Sequence, residues 1–515
     1  MYLFQHNGQL SIEEFHNPFG GKLDPNNRWV VLANVIPWEP LESRYAPLFS
    51  AKTGAPAKPF RMAFGAVYIQ QRLGVTDRET VDLITESPYL QFFIGLSGYQ
   101  ALRPFDPSMM VHFRKRIGPD LIKVCHDMTK ANGIAMIQEL LASAQEDGIE
   151  AEPEELAAIE AELGVRPAAL EEGRNWGTLI LDATCVPDDI PYPVDLRLLN
   201  EARETTEKVI DELFKQLQGT ISRKPRCNRD KARNRFLAII KKKRPKREEI
   251  RDAKRFQLIE IRRNLRAIDG MIHCGAVLSE LGSGLYRKLL VTSELYRQQQ
   301  EMYDADSRRI DDRIVNLAKP HVRPIVRGKA GKKTEFGAKI SISDDNGFVD
   351  VNRISWDNYN EARDLIERAK QYKEERGCFP ARICADAIYM TAENKKFCTD
   401  NGIRLSGRSR KQQEDTEAQS VEQQELFKSD LRKRSVIEGR IGTSKRKYGL
   451  DRIMTKLVET STTVIKMAFF VMNAEKILRL LRLLFALLLI VYSAIIWFVR
   501  SLAPSSSPRG SLVSI

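Results

Sequence analysis

Apolar residues recur at helical spacing over residues 60–73, Gly74 breaks the pattern, and Thr76 with Glu79 makes a capping box for a second helix through Ile84. Helix, short Gly turn, helix outlines a helix-turn-helix and, equally, a plain helical hairpin. A third helix starts near Ser108 and carries Arg114, Lys115 and Arg116, which tilts the region toward DNA contact. The period then shortens. Thr178-Leu179-Ile180-Leu181 reads as a short buried strand ending in Asp182, and Pro187, Pro191 and Pro193 prevent a regular continuation. From Asp195 to about Lys319 the spacing is helical again. Residues 335–354 form the clearest hairpin. Phe336, Ala338, Ile340 and Ile342 alternate with Gly337, Lys339, Ser341 and Ser343, Asp344-Asp345-Asn346-Gly347 turns the chain, and Val349, Val351 and Ile354 lie in the return strand. A helix over 359–373, a strand over 381–385 closed by Asp386, a helix over 391–400 and a short strand over 403–405 follow. A polar helical stretch over 411–430 leads to a helix holding Glu438.

This order predicts an α/β fold: an RNase H-like catalytic domain interrupted after its first strand by a helical insertion, with a mostly helical N-terminal DNA-binding region. The expected divisions are a helical N-terminal region 1–135, an acidic helical linker 136–176, a catalytic domain formed by 177–194 and 335–460, a basic helical insertion 195–334, and an apolar helix with a Ser/Pro tail over 461–515. The first strand must be central if Asp182 and Asp386 are to meet at adjacent strand ends, where ligands of α/β sheets gather.

Composition changes this picture in one respect. The 515 residues are 43% apolar and 29% charged, ordinary for a soluble protein, but the net charge is +13. That excess points to a polyanion, either nucleic acid or an anionic membrane surface. It is concentrated: residues 223–266 hold nineteen Lys/Arg against five Asp/Glu, including Lys241, Lys242, Lys243 and Arg244. A concentrated patch suits phosphate binding, because each neutralised phosphate releases condensed counterions. Residues 139–172 are the opposite, with eleven acids and Arg166 as the single base, and read as a solvated face or linker. The seven cysteines form no C-x-x-C pair, so a zinc ribbon or a disulfide framework is not expected, and reduced thiols fit a cytosolic setting. The first residues lack the basic and apolar segments of a signal peptide.

Asp182 and Asp386 each directly follow an apolar strand, where a carboxylate is costly to bury without a cation. With Glu438 from a later helix, the three can cluster around Mg²⁺, a hard cation that prefers oxygen ligands. Two such ions about 4 Å apart can clamp the attacking and leaving oxygens of a phosphodiester. Arg434 and Glu438 are four residues apart and share a helix face, and Arg440, Lys445, Arg446 and Lys447 cluster near this acid, as suits a site that grips a phosphate backbone.

On these residues the chain resembles the insertion-sequence transposases of the DDE class, specifically the group related to insertion sequence five. Their third acid lies in a Y-x2-R-x3-E-x6-K signature, which Arg434, Glu438 and Lys445 match, while position 431 is Leu rather than Tyr. Leu181-Asp182-Ala183-Thr184, then Tyr192-Pro193 and Leu198-Leu199-Asn200-Glu201-Ala202-Arg203, match around the first acid, and Ala385-Asp386 with Tyr389 around the second. Phe336-Gly337-Ala338-Lys339 and Arg353-Ile354-Ser355-Trp356-Asp357 resemble the family's hairpin. The resemblance covers roughly residues 40–475. It implies binding of the element's terminal inverted repeats by the N-terminal region, and Mg²⁺-dependent cleavage and strand transfer with Asp182, Asp386 and Glu438 as catalytic and metal-binding residues. It also implies DNA phosphates held by Arg434 and Lys445. Two Mg²⁺ ions are expected, with Mn²⁺ able to substitute. The expected partners are double-stranded DNA, as element ends and as target, and a second copy of the chain in the DNA complex. The expected place is the bacterial cytoplasm, at the nucleoid. The alternative is a catalytically inactive or repurposed derivative that only binds DNA.

One feature fits none of this. Residues 483–499 are an uncharged, mostly apolar run of 17, bracketed by Arg482 and Arg500, at the lower limit for a membrane span. Arg479 and Arg482 interrupt its apolar face, so the expectation is a helix packed on the catalytic domain or on another protomer, or a non-functional extension, rather than a membrane anchor.

Overall fold

The computed structural model describes residues 2, 9–17, 20–50, 54, 56–146, 153–164, 171, 173–326, 334–407 and 421–502. The first half of the expected polar stretch, 411–420, and the Ser/Pro tail from 503 onward lie outside them. The chain begins with helices α1 (Arg28–Val35), α2 (Trp38–Tyr45), α3 (Phe60–Leu73), α4 (Asp77–Glu86), α5 (Pro88–Phe93), α6 (Met109–Glu146, broken by a kink at Gly118) and α7 (Pro153–Leu163). Strand β1 (Thr178–Pro187) follows, then four helices: α8 (Asp195–Gln216), α9 (Arg229–Ile240), α10 (Arg247–His273) and α11 (Ser283–Asp304). The remainder is β2 (Arg323–Val326), β3 (Thr334–Asp345), β4 (Phe348–Ser355), α12 (Asp364–Arg376), β5 (Arg382–Cys384), α13 (Ala392–Asp400), β6 (Arg404–Ser406), α14 (Val421–Lys447) and α15 (Val458–Leu502).

All six strands form one sheet in the order β2-β3-β1-β5-β6, with β4 also paired to β3. The β3–β4 pair is the hairpin that the alternation predicts. Its two-residue turn needs positive φ at both positions, and Asn346 (φ 51°) and Gly347 (φ 84°) supply it. β1 runs antiparallel to β3 and parallel to β5, so it is central.

Asp182 is not at a strand end, as the prolines had implied. β1 runs five residues further, because β3 offers it a continuous partner from Asp345 to Gly337. At the far end of this pair a Cβ on Gly337 would sit 2.0 Å from the Val186 carbonyl oxygen, so only glycine lets the strands stay paired there. The helix expected over 359–373 starts later, at Asp364, after a short 3-10 turn over Glu361–Arg363.

The sheet separates two cores. On one face Ile180, Ile340, Ile342, Val349 and Cys384 join the N-terminal helices and α15 in the largest buried cluster, which contains Trp38, Phe64, Tyr68 and Phe470. On the other, Leu179, Leu181 and Ile383 pack on Leu365, Ala369 and Tyr372 of α12 and on Tyr389. The helices α8–α11 have their own cores, built around Val209, Ile210 and Met271 and around Leu199, Leu258 and Ile261.

Three expectations for the N-terminal half are refined. α3 ends at Gly74 and Thr76 caps α4 as the pattern implies, but α3 from Phe60 to Ile69 is buried throughout and serves as core. The basic start of α6 is partly structural. Arg114 forks onto Asp77 at 2.8 Å, and Arg116 lies over the Phe49 ring at 4.5 Å, leaving Lys115 exposed. The acidic region is not a mere linker, since α6 passes residue 135 unbroken and Ile137, Leu141, Ile159 and Leu163 pack on Phe348, Ile477 and Leu480.

α15 is locked to the sheet by Asn473 and Glu475. Asn473 accepts from the Val349 N–H at 2.9 Å and donates to its carbonyl at 3.0 Å, serving β4 as a neighbouring strand would. Glu475 pairs with Arg72 at 2.6 Å and ties α3 to the same helix. The apolar run continues α15. Leu484 is buried, Leu483, Phe485 and Leu489 are exposed, and no helix among the described residues is long and apolar enough to cross a membrane. Among the described residues all seven cysteines are free thiols.

Candidate active site

The register of the parallel pair places the first two acids. Ile180 stands opposite Cys384, the two-residue period puts Asp182 on the face of Ile180, and Asp386 follows two residues after the end of β5 at Cys384. β5 ends at Cys384 and the chain turns into a 3-10 helix over Ala387–Tyr389. Asp386 caps that turn, accepting from the Ala387 N–H at 2.7 Å, and Asp182 accepts from the Ala183 N–H at 2.8 Å. The turn itself is pinned. The Tyr389 ring is buried among Leu181 and Leu365, and the Asn394 amide donates to the carbonyls of Tyr389 and Ala362, both at 2.9 Å.

α14 crosses this same face. Its Ile437 is fully buried in the cluster that holds Ile180 and Cys384, which turns the adjacent Glu438 and Arg434 toward the acids. Arg434 donates to Asp386 at 3.2 Å and to Glu438 at 3.1 Å. Asp182 feels the charge of all three. Burial raises the Asp182 carboxyl above the usual aspartate range. The Ala183 N–H and Arg434 oppose that rise, and Asp386 and Glu438 add to it. Asp386 and Glu438 remain wet, with side chains 55% and 58% exposed. The structure therefore joins Arg434 to two of the predicted acids and sets the third, Asp182, within electrostatic reach of all of them, with the three carboxylates not within 4.8 Å of one another.

The predicted basic residues divide. Lys445 is seven residues after Glu438, about two turns along the same face of α14, and is half-buried. Arg440 faces the other flank, where it bonds Asp344 at 3.3 Å beside the hairpin turn, so its first role is to hold α14 on β3. Arg446 is exposed, and Lys447 is exposed with its ammonium 5.4 Å from the Tyr448 ring centre. Lys241, Lys242, Lys243 and Arg244 are not on a helix. They form an exposed turn between α9 and α10, with Lys242 paired to Glu249 at 2.6 Å. No hydrogen bond or ion pair among the described residues joins that turn to the three acids. Much of the basic excess nearby is balanced by acids outside it: Lys224 and Arg229 pair with Asp211, Lys254 with Asp195 at 2.6 Å, and Arg251 with Asp306 at 3.0 Å.

Residues 18–116 match a family described as a transposase domain (DUF772), and residues 383–475 match one described as a transposase DDE domain. The chain is a DDE-class, insertion-sequence transposase. The second match holds Asp386 and Glu438, and the transposase contributes Asp182 from outside both matched ranges. An uncharacterized protein of Rhizobium meliloti, ORF8 in the nfe locus, is 30% identical over 159 residues, which span 30% of the transposase and 69% of that protein. No solved structure matches the transposase.

The sequence did not single out Arg440–Asp344, Asn394 or Asn473 as residues that place the site. Each acts through a partner distant in sequence and carries no local pattern.

Proposed function

We propose that this transposase belongs to the group related to insertion sequence five, binds the terminal inverted repeats of its element, and catalyses divalent-metal-dependent DNA strand cleavage and strand transfer. The sheet order β4-β3-β1-β5-β6, with α8–α11 between β1 and the hairpin, supports an RNase H-like catalytic domain carrying a helical insertion. The observation that carries the reading is the convergence of Asp182 on the central strand β1, Asp386 just past the end of the adjacent parallel strand β5, and Glu438 joined to Asp386 through Arg434, with the charges of Asp386, Glu438 and Arg434 all acting on Asp182.

The donor set fits a hard divalent cation. It is all carboxylate oxygen, two of the acids are solvent-exposed, and a charge already faces the partly buried third. Asp182, Asp386 and Glu438 would hold Mg²⁺, with Mn²⁺ able to substitute, and the ion would supply Lewis acidity at a scissile phosphodiester. The chain's own groups do the rest. Lys445, Arg446 and Lys447 line one end of α14 as contacts for a DNA backbone, and the fixed turn under Asp386 keeps the acids in place without reorganisation. The exposed turn Lys241–Arg244 extends the phosphate-binding surface onto the insertion, and two protomers act together on the two element ends, at the nucleoid.

The test is incubation of the purified transposase with duplexes carrying the element ends and Mg²⁺, followed by strand analysis. End cleavage and joining are expected. Asp182→Asn, Asp386→Asn and Glu438→Gln should each lower cleavage by at least about a hundredfold and spare duplex binding. Binding without cleavage by the unaltered chain would favour a DNA-binding derivative, and full activity in any of the three variants would refute the assignment.

A further inference from the structure

Arg434 occupies the position that a metal ion would contest. Its guanidinium donates to Asp386 at 3.2 Å and to Glu438 at 3.1 Å, and its charge acts on Asp182. It thus touches two of the three acids and biases the third. A guanidinium does not lose its proton at any working pH, so the oxygens are released only when the side chain moves. Little holds it there: the Arg434 side chain is 32% exposed and its two acid partners are more exposed still. A planar fork of donors also fits a phosphate as well as it fits a carboxylate.

We propose that Arg434 is a displaceable internal cation. In the free protein it neutralises Asp386 and Glu438 and competes with a divalent ion for them. A DNA phosphate draws the guanidinium away, and the exposed carboxylates then take up the ion. Metal loading is thereby coupled to DNA arrival, and by linkage the metal tightens DNA to the same extent. The proposal rests on the three acids being the metal-holding set. It assigns Arg434 a negative effect on metal affinity in the absence of DNA, the opposite of what a residue that merely orients the acids would have.

The measurement is calorimetric titration of the full chain with MnCl₂ alone and in the presence of a 40-base-pair duplex at low salt, for the unaltered protein, Arg434→Gln, Arg434→Lys and Asp386→Asn. Removing two exposed ion pairs should tighten Mn²⁺ binding without DNA about three- to tenfold in Arg434→Gln. Arg434→Lys should fall between the two. The duplex should tighten Mn²⁺ binding of the unaltered chain by a similar factor and leave Arg434→Gln nearly unchanged. Equal or weaker Mn²⁺ binding by Arg434→Gln overturns the proposal, and a duplex without effect on the unaltered chain overturns the coupling. In both cases loss of binding in Asp386→Asn keeps the metal site standing. Undiminished Mn²⁺ binding by Asp386→Asn removes the metal site itself, and this proposal with it.

Discussion

Two acid clusters flank the sheet, and only one is built to stay available. Around Asp182, Asp386 and Glu438 the structure places one arginine, and two of the three acids are more than half exposed. Around Asp350 of β4 several partners meet one carboxylate, and Arg368 among them also forks onto Glu375 at 3.0 Å. His126 approaches Asp350 at 3.3 Å, Arg368 at 3.5 Å and Lys130 at 3.8 Å, so α6, α12 and β4 are tied together by one carboxylate. The ligand atoms of His126, Asp127 and Asp350 all lie within 4.8 Å of one another, a spacing that a metal ion could use. Lys130 and Arg368 already supply the positive charge there.

The titration of the two clusters differs in sign. Burial alone would raise Asp350, but Lys130, His126 and Arg368 outweigh it and bring its carboxyl down to about 2. Burial holds the His126 imidazole below its ordinary value, against the pull of Asp350. Asp182 is shifted the other way, upward, because burial meets too little compensating charge. One acid stabilises the fold and the other is retained at a cost to it.

Truncation should expose this contrast most strongly. Asp350→Ala leaves Lys130 and Arg368 without their shared partner and should cost about 3 kcal/mol of stability. Glu438→Gln, at a wet site, should cost less than about 0.5 kcal/mol. Denaturant midpoints of the two variants measure this, and equal losses would erase the distinction between the clusters.

Acid titration gives the next largest effect. Because the folded Asp350 carboxyl is depressed, its contribution is present above the ordinary aspartate range near pH 3.9 and is lost as pH falls through about 2. It amounts to about 2 kcal/mol. The acid-unfolding curve of Asp350→Asn should lack that component. For Asp182 the sign is opposite. A raised carboxyl favours the folded state fully only at pH below the ordinary aspartate value, and that contribution disappears as pH rises through the elevated folded value. Asp182→Asn should therefore melt higher than the unaltered chain at pH 7, with the difference closing below about pH 4. A lower melting temperature at pH 7 would contradict the reading of Asp182 as an undercompensated acid.

The smallest effect concerns the exposed basic turn. Neutralising Lys241, Lys242, Lys243 and Arg244 to Gln should leave the melting temperature unchanged. It should reduce the slope of log affinity against log salt for duplex DNA by about 0.9 for each phosphate that the turn no longer neutralises. An unaltered slope would mean that the turn does not meet DNA, and that the chain's positive charge acts elsewhere.

Much of this molecule was legible from periodicity and short motifs. The hairpin followed from strict alternation ended by Asn346-Gly347, and the β5 acid followed from a short apolar strand. Arg434, Glu438 and Lys445 share a face because their spacings of four and seven are helical, whatever the surroundings. The basic groups were harder to read, because a positive charge has the same sequence signature whether it meets solvent, DNA or a distant acid. Arg114 and Arg440 proved to be paired with Asp77 and Asp344, 37 and 96 residues away. The acidic helices read as a linker for the same reason: their few apolar residues, among them Ile137, Leu141, Ile159 and Leu163, show their purpose only once α15 lies against them.

The sequence by itself determined which residues could hold a cation and on which faces of which elements they lie, since these depend on residue type and local period. Tertiary structure decided that Asp182 lies within a central strand beside the one that Asp386 follows. It also decided that Ile437, by burying itself against Ile180 and Cys384, turns Glu438 to meet them. Those outcomes depend on strand register and on which apolar surface α14 covers, and both are settled by burial summed over the whole sheet.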